Sequence, residues 1–261
     1  MKQSIGFANN FYLSQQEQFV KKAFFKAHFY AGLAFLLSFV IALGISFYIN
    51  KNLIANPTIS FRLLISSAIS LLVGFIFAFF AMWLIRPTSS KTTMTINFSI
   101  IWLLLTYGLA GILTSGSLYV DGFNFTEVLS ALVIVSGVYI TAAISGYYMS
   151  NKTAFNLRKF LFIISIVSLI MIVIMQFVYI FAFNKQQFNI WFLVINIVGL
   201  IISVISLILT SQQTRAVLQQ LELSDNNKQL TSNFILYTAF VLFYNLFTLL
   251  IYVIRLMRYL R

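Results

Sequence analysis

The chain has 261 residues, is 61% hydrophobic and only 8% charged, and has a mean hydropathy of +0.94, a balance far outside that of soluble domains. It contains no cysteine and a single histidine, His28, which excludes disulfides, thiolate nucleophiles, thiolate metal sites and histidine clusters. The net charge of +12 comes from 17 Lys and Arg scattered in short groups between apolar stretches, so it reads as membrane topology and not as nucleic-acid binding.

Residues 1–26 form a polar segment carrying Lys2, Lys21, Lys22 and Lys26. It is too long and irregular for a signal-peptide leader, so the first apolar span is expected to stay attached. Apolar spans follow at 28–49, 62–85, 96–115, 127–149, 160–183, 190–210 and 233–255. Each is long enough to cross a hydrocarbon core of about 30 Å at 1.5 Å per helical residue. The expected fold is all-α: a polytopic membrane protein with a seven-transmembrane-helix bundle at 27–256, its last helix central, and a short basic tail at 257–261. Counting Lys and Arg on alternate sides of the spans gives eleven on the N-terminal side and six on the other, which puts the N-terminus in the cytoplasm. The loop 116–126, with Asp121 and nearby Glu127, then faces outwards, and the loop 211–232 faces inwards, its AVLQQLEL stretch a candidate for an interfacial or, equally, a plain solvated helix. The abundance of Phe, Ile, Asn and Lys is what an AT-rich coding sequence gives, and points to a bacterial plasma membrane.

In the second span Ser66, Ser70, Gly74 and Ala78 recur every four residues, and in the fourth Gly137, Thr141 and Ser145 do the same. Such stripes let helix backbones approach closely and read as packing surfaces before they read as pore linings. The five acids, Glu17, Asp121, Glu127, Glu222 and Asp225, all lie outside or at the edge of the spans, whereas proton relays and calcium paths through a bilayer normally need an acid along the route. With no Ser/His/Asp set, paired acids, glycine-rich phosphate loop or metal-ligand cluster, the expectation is no enzyme, no cofactor and no metal. Gln176, Asn196, Thr210 and Asn245 are polar residues inside spans and read as interhelical hydrogen-bonding groups. His28, at the inner end of the first span, reads as an ordinary interfacial histidine.

From Ala239 the last span runs A-F-V-L-F-Y-N-L-F-T-L-L, and Arg255 follows Asn245 by ten residues. This resembles the closing motif of the Bax inhibitor-1 family, approximately A-L-x-L-Y-L-D-F-I-N-L-F with an Arg ten residues after the Asp. The stretch SGYYMSNKTAFNLRKFLF, Ser145 to Phe162, is similar to the family's G-Y-x-T-K-x-D-L-S segment and F-L-F helix start. LILTSQQ, ending the sixth span, is similar to its Y-D-T-Q, with Ser211 and Gln212 fitting the T and Q. The resemblance covers roughly residues 24–256.

It implies a last helix wrapped by two groups of three helices, and a hydrogen-bonded pair of aspartates on the last two helices that closes a calcium-leak path and titrates with pH. Thr210 and Asn245 stand here where those acids would be, and Arg86 stands near, though offset by one position from, an arginine that pairs with the acid in the family. A hydroxyl and an amide can still bond across helices. The implied function is therefore a weak ion leak, of calcium or other cations, with a latch but no proton switch. The alternative is an interaction protein that regulates other membrane proteins or a membrane protease. Expected partners are the lipid bilayer, calcium or other cations, and other membrane proteins.

Overall fold

The computed structural model describes residues 2–119, 125–182, 185–223 and 228–259, with side chains at 17–52, 56–114, 126–171, 191–222, 228–257 and 259. They form seven helices: α1 (Lys2–Ala55), α2 (Pro57–Leu84), α3 (Lys91–Tyr119), α4 (Phe125–Tyr148), α5 (Asn151–Ala182), α6 (Lys185–Leu223) and α7 (Lys228–Tyr259). All seven are long and apolar enough to cross a membrane, and the described residues contain no strand. The chain is a multi-pass all-α bundle. Large apolar side chains such as Phe47, Phe61, Trp83, Val133 and Phe162 cover its outside, as a lipid-facing surface requires.

Both prolines of the chain mark helix boundaries. Pro57 opens α2 after Asn56, whose φ of −141° and ψ of 76° break the chain away from α1; its missing N–H costs nothing at the first helical position. Pro87 lies just beyond α2, where it prevents continuation. Ser90 and Ser150 then cap α3 and α5, their Oγ atoms accepting from the N–H groups of Thr93 (3.1 Å) and Thr153 (3.2 Å).

Two stretches depart from the expected layout. α1 runs unbroken from Lys2 across the boundary drawn at residue 26, since no proline interrupts it. Val20, Ala23 and Ala27 bury together with Leu218, Phe234 and Ile235, so this part of α1 is packed against the ends of α6 and α7. The loop 211–232 is also largely helix: AVLQQLEL continues α6 to Leu223, and α7 begins at Lys228. Burial of Leu218 in the same cluster packs that extension against α1 and α7. α7 likewise passes position 256 and ends at Tyr259. Asp121, Asp225 and the side chain of Gln176 lie outside the described residues.

α7 is the centre. In its most apolar stretch 67% of residues are buried, against 6% in α5. It packs on α1, α3, α4 and α6, and reaches α2 through Tyr237, whose hydroxyl donates to the Met82 carbonyl (3.2 Å), and through Tyr244, edge-on to Phe75 at 5.7 Å. α1 and α3 run parallel in constant register: Trp102 Nε1 donates to the Ala34 carbonyl (3.0 Å), Ser38 pairs with Thr106 (2.7 Å) and Thr114 donates to Ser46 (3.0 Å), each pair 68 residues apart. Alternate spans of a membrane bundle must run the same way.

The small-residue stripe of α2 is filled by α3 of the same chain. Ser70, Gly74 and Ala78 are buried; Ser70 Oγ donates to the Leu104 carbonyl at 2.9 Å, and a Cβ on Gly74 would lie 3.0 Å from Leu105 Cδ2. Ser66 stays exposed, but its hydroxyl pairs with that of Tyr107 at 2.6 Å. On α4 the expected packing stripe is displaced: Gly137, Thr141 and Ser145 are exposed, and nothing lies within 4 Å of a Cβ on Gly137. The buried row is Ala131, Val135, Ala142 and Gly146, which puts more apolar surface inside. Thr141 tolerates the outer face because its hydroxyl bonds the Gly137 carbonyl of its own helix at 2.9 Å.

At Gly146 an added Cβ would run into the Ile208 carbonyl oxygen and lie 2.6 Å from Ser211 Cβ. Gly146→Ala is expected to destabilise the bundle by about 1–3 kcal/mol, as overpacking does. The measurement is the thermal midpoint in detergent micelles, with Gly137→Ala, which meets open space, leaving it unchanged or slightly raised.

Candidate functional site at the polar turns of α6

Between Ser206 and Arg215, α6 carries a run of polar residues in an otherwise apolar helix. Successive residues rotate by about 100°, so the run presents polar groups to several neighbours at once. Ser206 and Thr210, one turn apart, share the face towards α7. Asn245 of α7 straddles them: its Oδ1 accepts from Ser206 Oγ and its Nδ2 donates to Thr210 Oγ1, both at 3.3 Å. The candidate pair Thr210 and Asn245 is thus within hydrogen-bond reach, at the long end of the range. Leu207, Leu242 and Leu246 on the same two helices are fully buried, whereas Ser206, Thr210 and Asn245 are half-buried.

One residue further on, Ser211 faces α1. Its Oγ lies 3.0 Å from His28 Nε2 and 2.9 Å from the Leu207 carbonyl. His28 is a correction to the expected interfacial residue: it is buried, with Nδ1 3.0 Å from the Phe24 carbonyl, and its ring stacks on Phe24 at 4.0 Å and on Tyr139 at 5.7 Å. The Tyr139 hydroxyl of α4 donates to the His28 carbonyl at 3.1 Å. The extension of α6 past the expected end of the span encloses this ring.

Gln212 faces α5. Its Nε2 donates to Asn151 Oδ1 at 2.8 Å, and its Oε1 accepts from Arg158 at 3.3 Å. Arg215 turns towards α4, where its guanidinium donates to the Tyr147 carbonyl and lies 5.1 Å from the Tyr147 ring. In under three turns α6 therefore fastens α1, α4, α5 and α7. No carboxylate takes part among the described residues, whose one salt bridge is the distant Glu17–Lys21 pair.

Arg86, the third candidate, is not brought to this place. It is exposed in the turn after α2, where its carbonyl accepts from the Ser89 N–H at 2.9 Å. Asn233 of α7 donates to the Ser89 carbonyl at 3.1 Å, and Asn245 lies twelve residues, about 18 Å, further along α7. Pro87 ends α2 at the edge of the bundle, so the guanidinium stays at its rim. Asn196 bonds within its own helix, to the Phe192 carbonyl at 2.7 Å, and does not join helices through that bond.

Reading the sequence singled out Thr210 and Asn245, and named Ser211 and Gln212 only as fitting a motif. Ser206, Arg158 and Arg215 were not singled out as site residues. The available signal was the density of polar residues at the end of an apolar span, SQQTR following LILT. Comparison of the chain with protein-family models, with curated proteins and with solved structures finds no match.

Proposed function

We propose that this integral membrane protein is a weak ion leak, Bax-inhibitor-like in plan, whose closed state is held by a neutral latch between α6 and α7. The observation that carries the reading is Asn245 held between Ser206 and Thr210 at 3.3 Å on both sides. Interhelical bonds of this kind contribute about 0.6–2 kcal/mol each in a membrane, enough to bias a helix contact closed without locking it. None of the three groups titrates in the physiological range, so the latch has no proton switch. Arg158 and Arg215, near one end of the polar run, repel divalent cations and keep the flux small and poorly selective.

The test is purified protein in liposomes loaded with a calcium dye. Calcium entry above that of empty liposomes, changing little between about pH 5 and 8, is the expected result. Entry equal to empty liposomes throughout that range removes the proposal.

The outward stripe of Gly137, Thr141 and Ser145 favours a second reading, an interaction protein whose α4 receives a helix of another membrane protein. A crosslinked partner lost on Gly137→Leu, with flux at background, would select it. The α2 stripe does not serve that purpose, since α3 occupies it.

A further inference from the structure

A second polar place lies apart from the latch. Where the first half of α1 and the end of α6 meet the starts of α3 and α7, a cavity of about 560 Å³ is lined by Lys26, Lys91, Lys228, Glu222, Thr231 and Ser232. The three lysines come from three helices, and all belong to the side that the charge count places in the cytoplasm. Lys91 and Lys228 are the first residues of α3 and α7, so the positive ends of two helix dipoles add to the field of the lysines. None of the three lysines is in a salt bridge among the described residues. Lys26 Nζ sits 5.6 Å over the Tyr30 ring. Glu222 is the one acid in the lining, and its Oε2 is buried without a hydrogen-bond partner among the described residues.

The cavity adjoins an apolar groove. A recess of about 340 Å³ between α1, α3 and α7 is lined by Leu33, Leu37, Trp102, Phe240 and Phe243, and Tyr30 and Leu236 line both spaces. From Lys26 to Leu37 is eleven residues of α1, about 16 Å, close to the depth of one leaflet of a core about 30 Å thick.

We propose that cavity and groove together hold one anionic phospholipid of the phosphatidylglycerol type. Its phosphodiester lies among Lys26, Lys91 and Lys228, a headgroup hydroxyl donates to Glu222 Oε2, and an acyl chain follows the groove past Trp102. A soluble phosphate ester would use the lysines but leave the groove empty. An ethanolamine headgroup would bring a cation into a cavity where three ammonium groups already face one carboxylate. Each lysine at an anionic lipid surface contributes about a factor of five in affinity, so three give a clear preference over neutral lipid.

Trp102 reports on occupancy directly. The full-length protein with Trp83→Phe and Trp191→Phe keeps Trp102 as its single tryptophan, and is placed in phosphatidylcholine nanodiscs containing lipids brominated on their acyl chains. Brominated phosphatidylglycerol is expected to reach half-maximal quenching at about a hundredfold lower fraction than brominated phosphatidylcholine or phosphatidylethanolamine. Replacing Lys26, Lys91 and Lys228 by Gln should abolish the difference. Replacing Lys22, Lys152 and Lys159 by Gln, which removes equal charge outside the cavity, should preserve it. Inorganic phosphate at constant ionic strength should not relieve the quenching. Equal quenching by phosphatidylglycerol and either other lipid overturns the site, as does a preference that survives the cavity substitutions or is lost equally in the control. Relief by phosphate would assign the lysines to a soluble anion and overturn the lipid assignment.

Discussion

Thr210→Asp combined with Asn245→Asp is expected to turn a pH-insensitive flux into one that rises with pH by on the order of tenfold or more. The native side chains at these positions bond at 3.3 Å across α6 and α7, so two carboxyls placed there would face each other at similar range. At that distance they hold one shared proton and cannot both ionise cheaply. Two unit charges about 4 Å apart repel by about 4 kcal/mol at an effective dielectric of 20, at least as much as two neutral hydrogen bonds contribute. The sign follows: the paired state is present while the shared proton is held, and is lost as pH rises and the proton leaves. Calcium entry into dye-loaded liposomes across the pH range is the measurement. Thr210→Asn is the control, since it keeps a neutral hydrogen-bonding pair and should stay flat. A folded double variant whose flux is also flat would show that this contact does not gate anything.

His28→Ala is expected to be the most damaging single truncation in the polar region, lowering stability by about 2–4 kcal/mol. Two contributions compete. The ring joins α1 to α6 through Ser211 Oγ at 3.0 Å, and fills the space between Phe24 and Tyr139 at centroid distances of 4.0 and 5.7 Å. The hydrogen bond is the smaller one, because Ser211 Oγ has the Leu207 carbonyl 2.9 Å away as another partner and is not orphaned. Stacking and cavity formation dominate. His28→Phe, which keeps the ring and loses both bonds, should therefore cost only about 1 kcal/mol. Thermal midpoints in micelles separate the two, and a Phe variant as unstable as the Ala variant would mean that the hydrogen bonds decide.

The departures from the expected layout have common physical causes. The first apolar span begins at 28 and the sixth ends at 210, where hydropathy changes, yet α1 and α6 continue through those points. Loss of hydropathy marks where a helix leaves lipid, and it does not end the hydrogen-bonded ladder; proline does, and both prolines lie at real boundaries. On α4, Gly137-Thr141-Ser145 and Ala131-Val135-Ala142-Gly146 are rows of the same helix, both built largely from small residues. The choice of buried row rests with what α6 and α7 bring against it. On α2 the buried row keeps Ser70, Gly74 and Ala78 but takes Ser67 in place of Ser66, and Gly108 and Gly111 of α3 leave room for Leu71 and Ser67.

By itself the sequence determined the number of spans and their helical nature, because twenty apolar residues without charge have one stable form in a bilayer: backbone groups must bond within the segment. It also determined that α7 carries a mid-span amide in need of a partner. Which group answers that amide, that a lone histidine 183 residues from Ser211 would meet it, and that Lys26, Lys91 and Lys228 would share one cavity, were decided only by tertiary packing. A helix fixes the directions of its own side chains through its 3.6-residue period, but the partners that meet them come from distant parts of the chain, and no local pattern records how those helices are rotated about their axes.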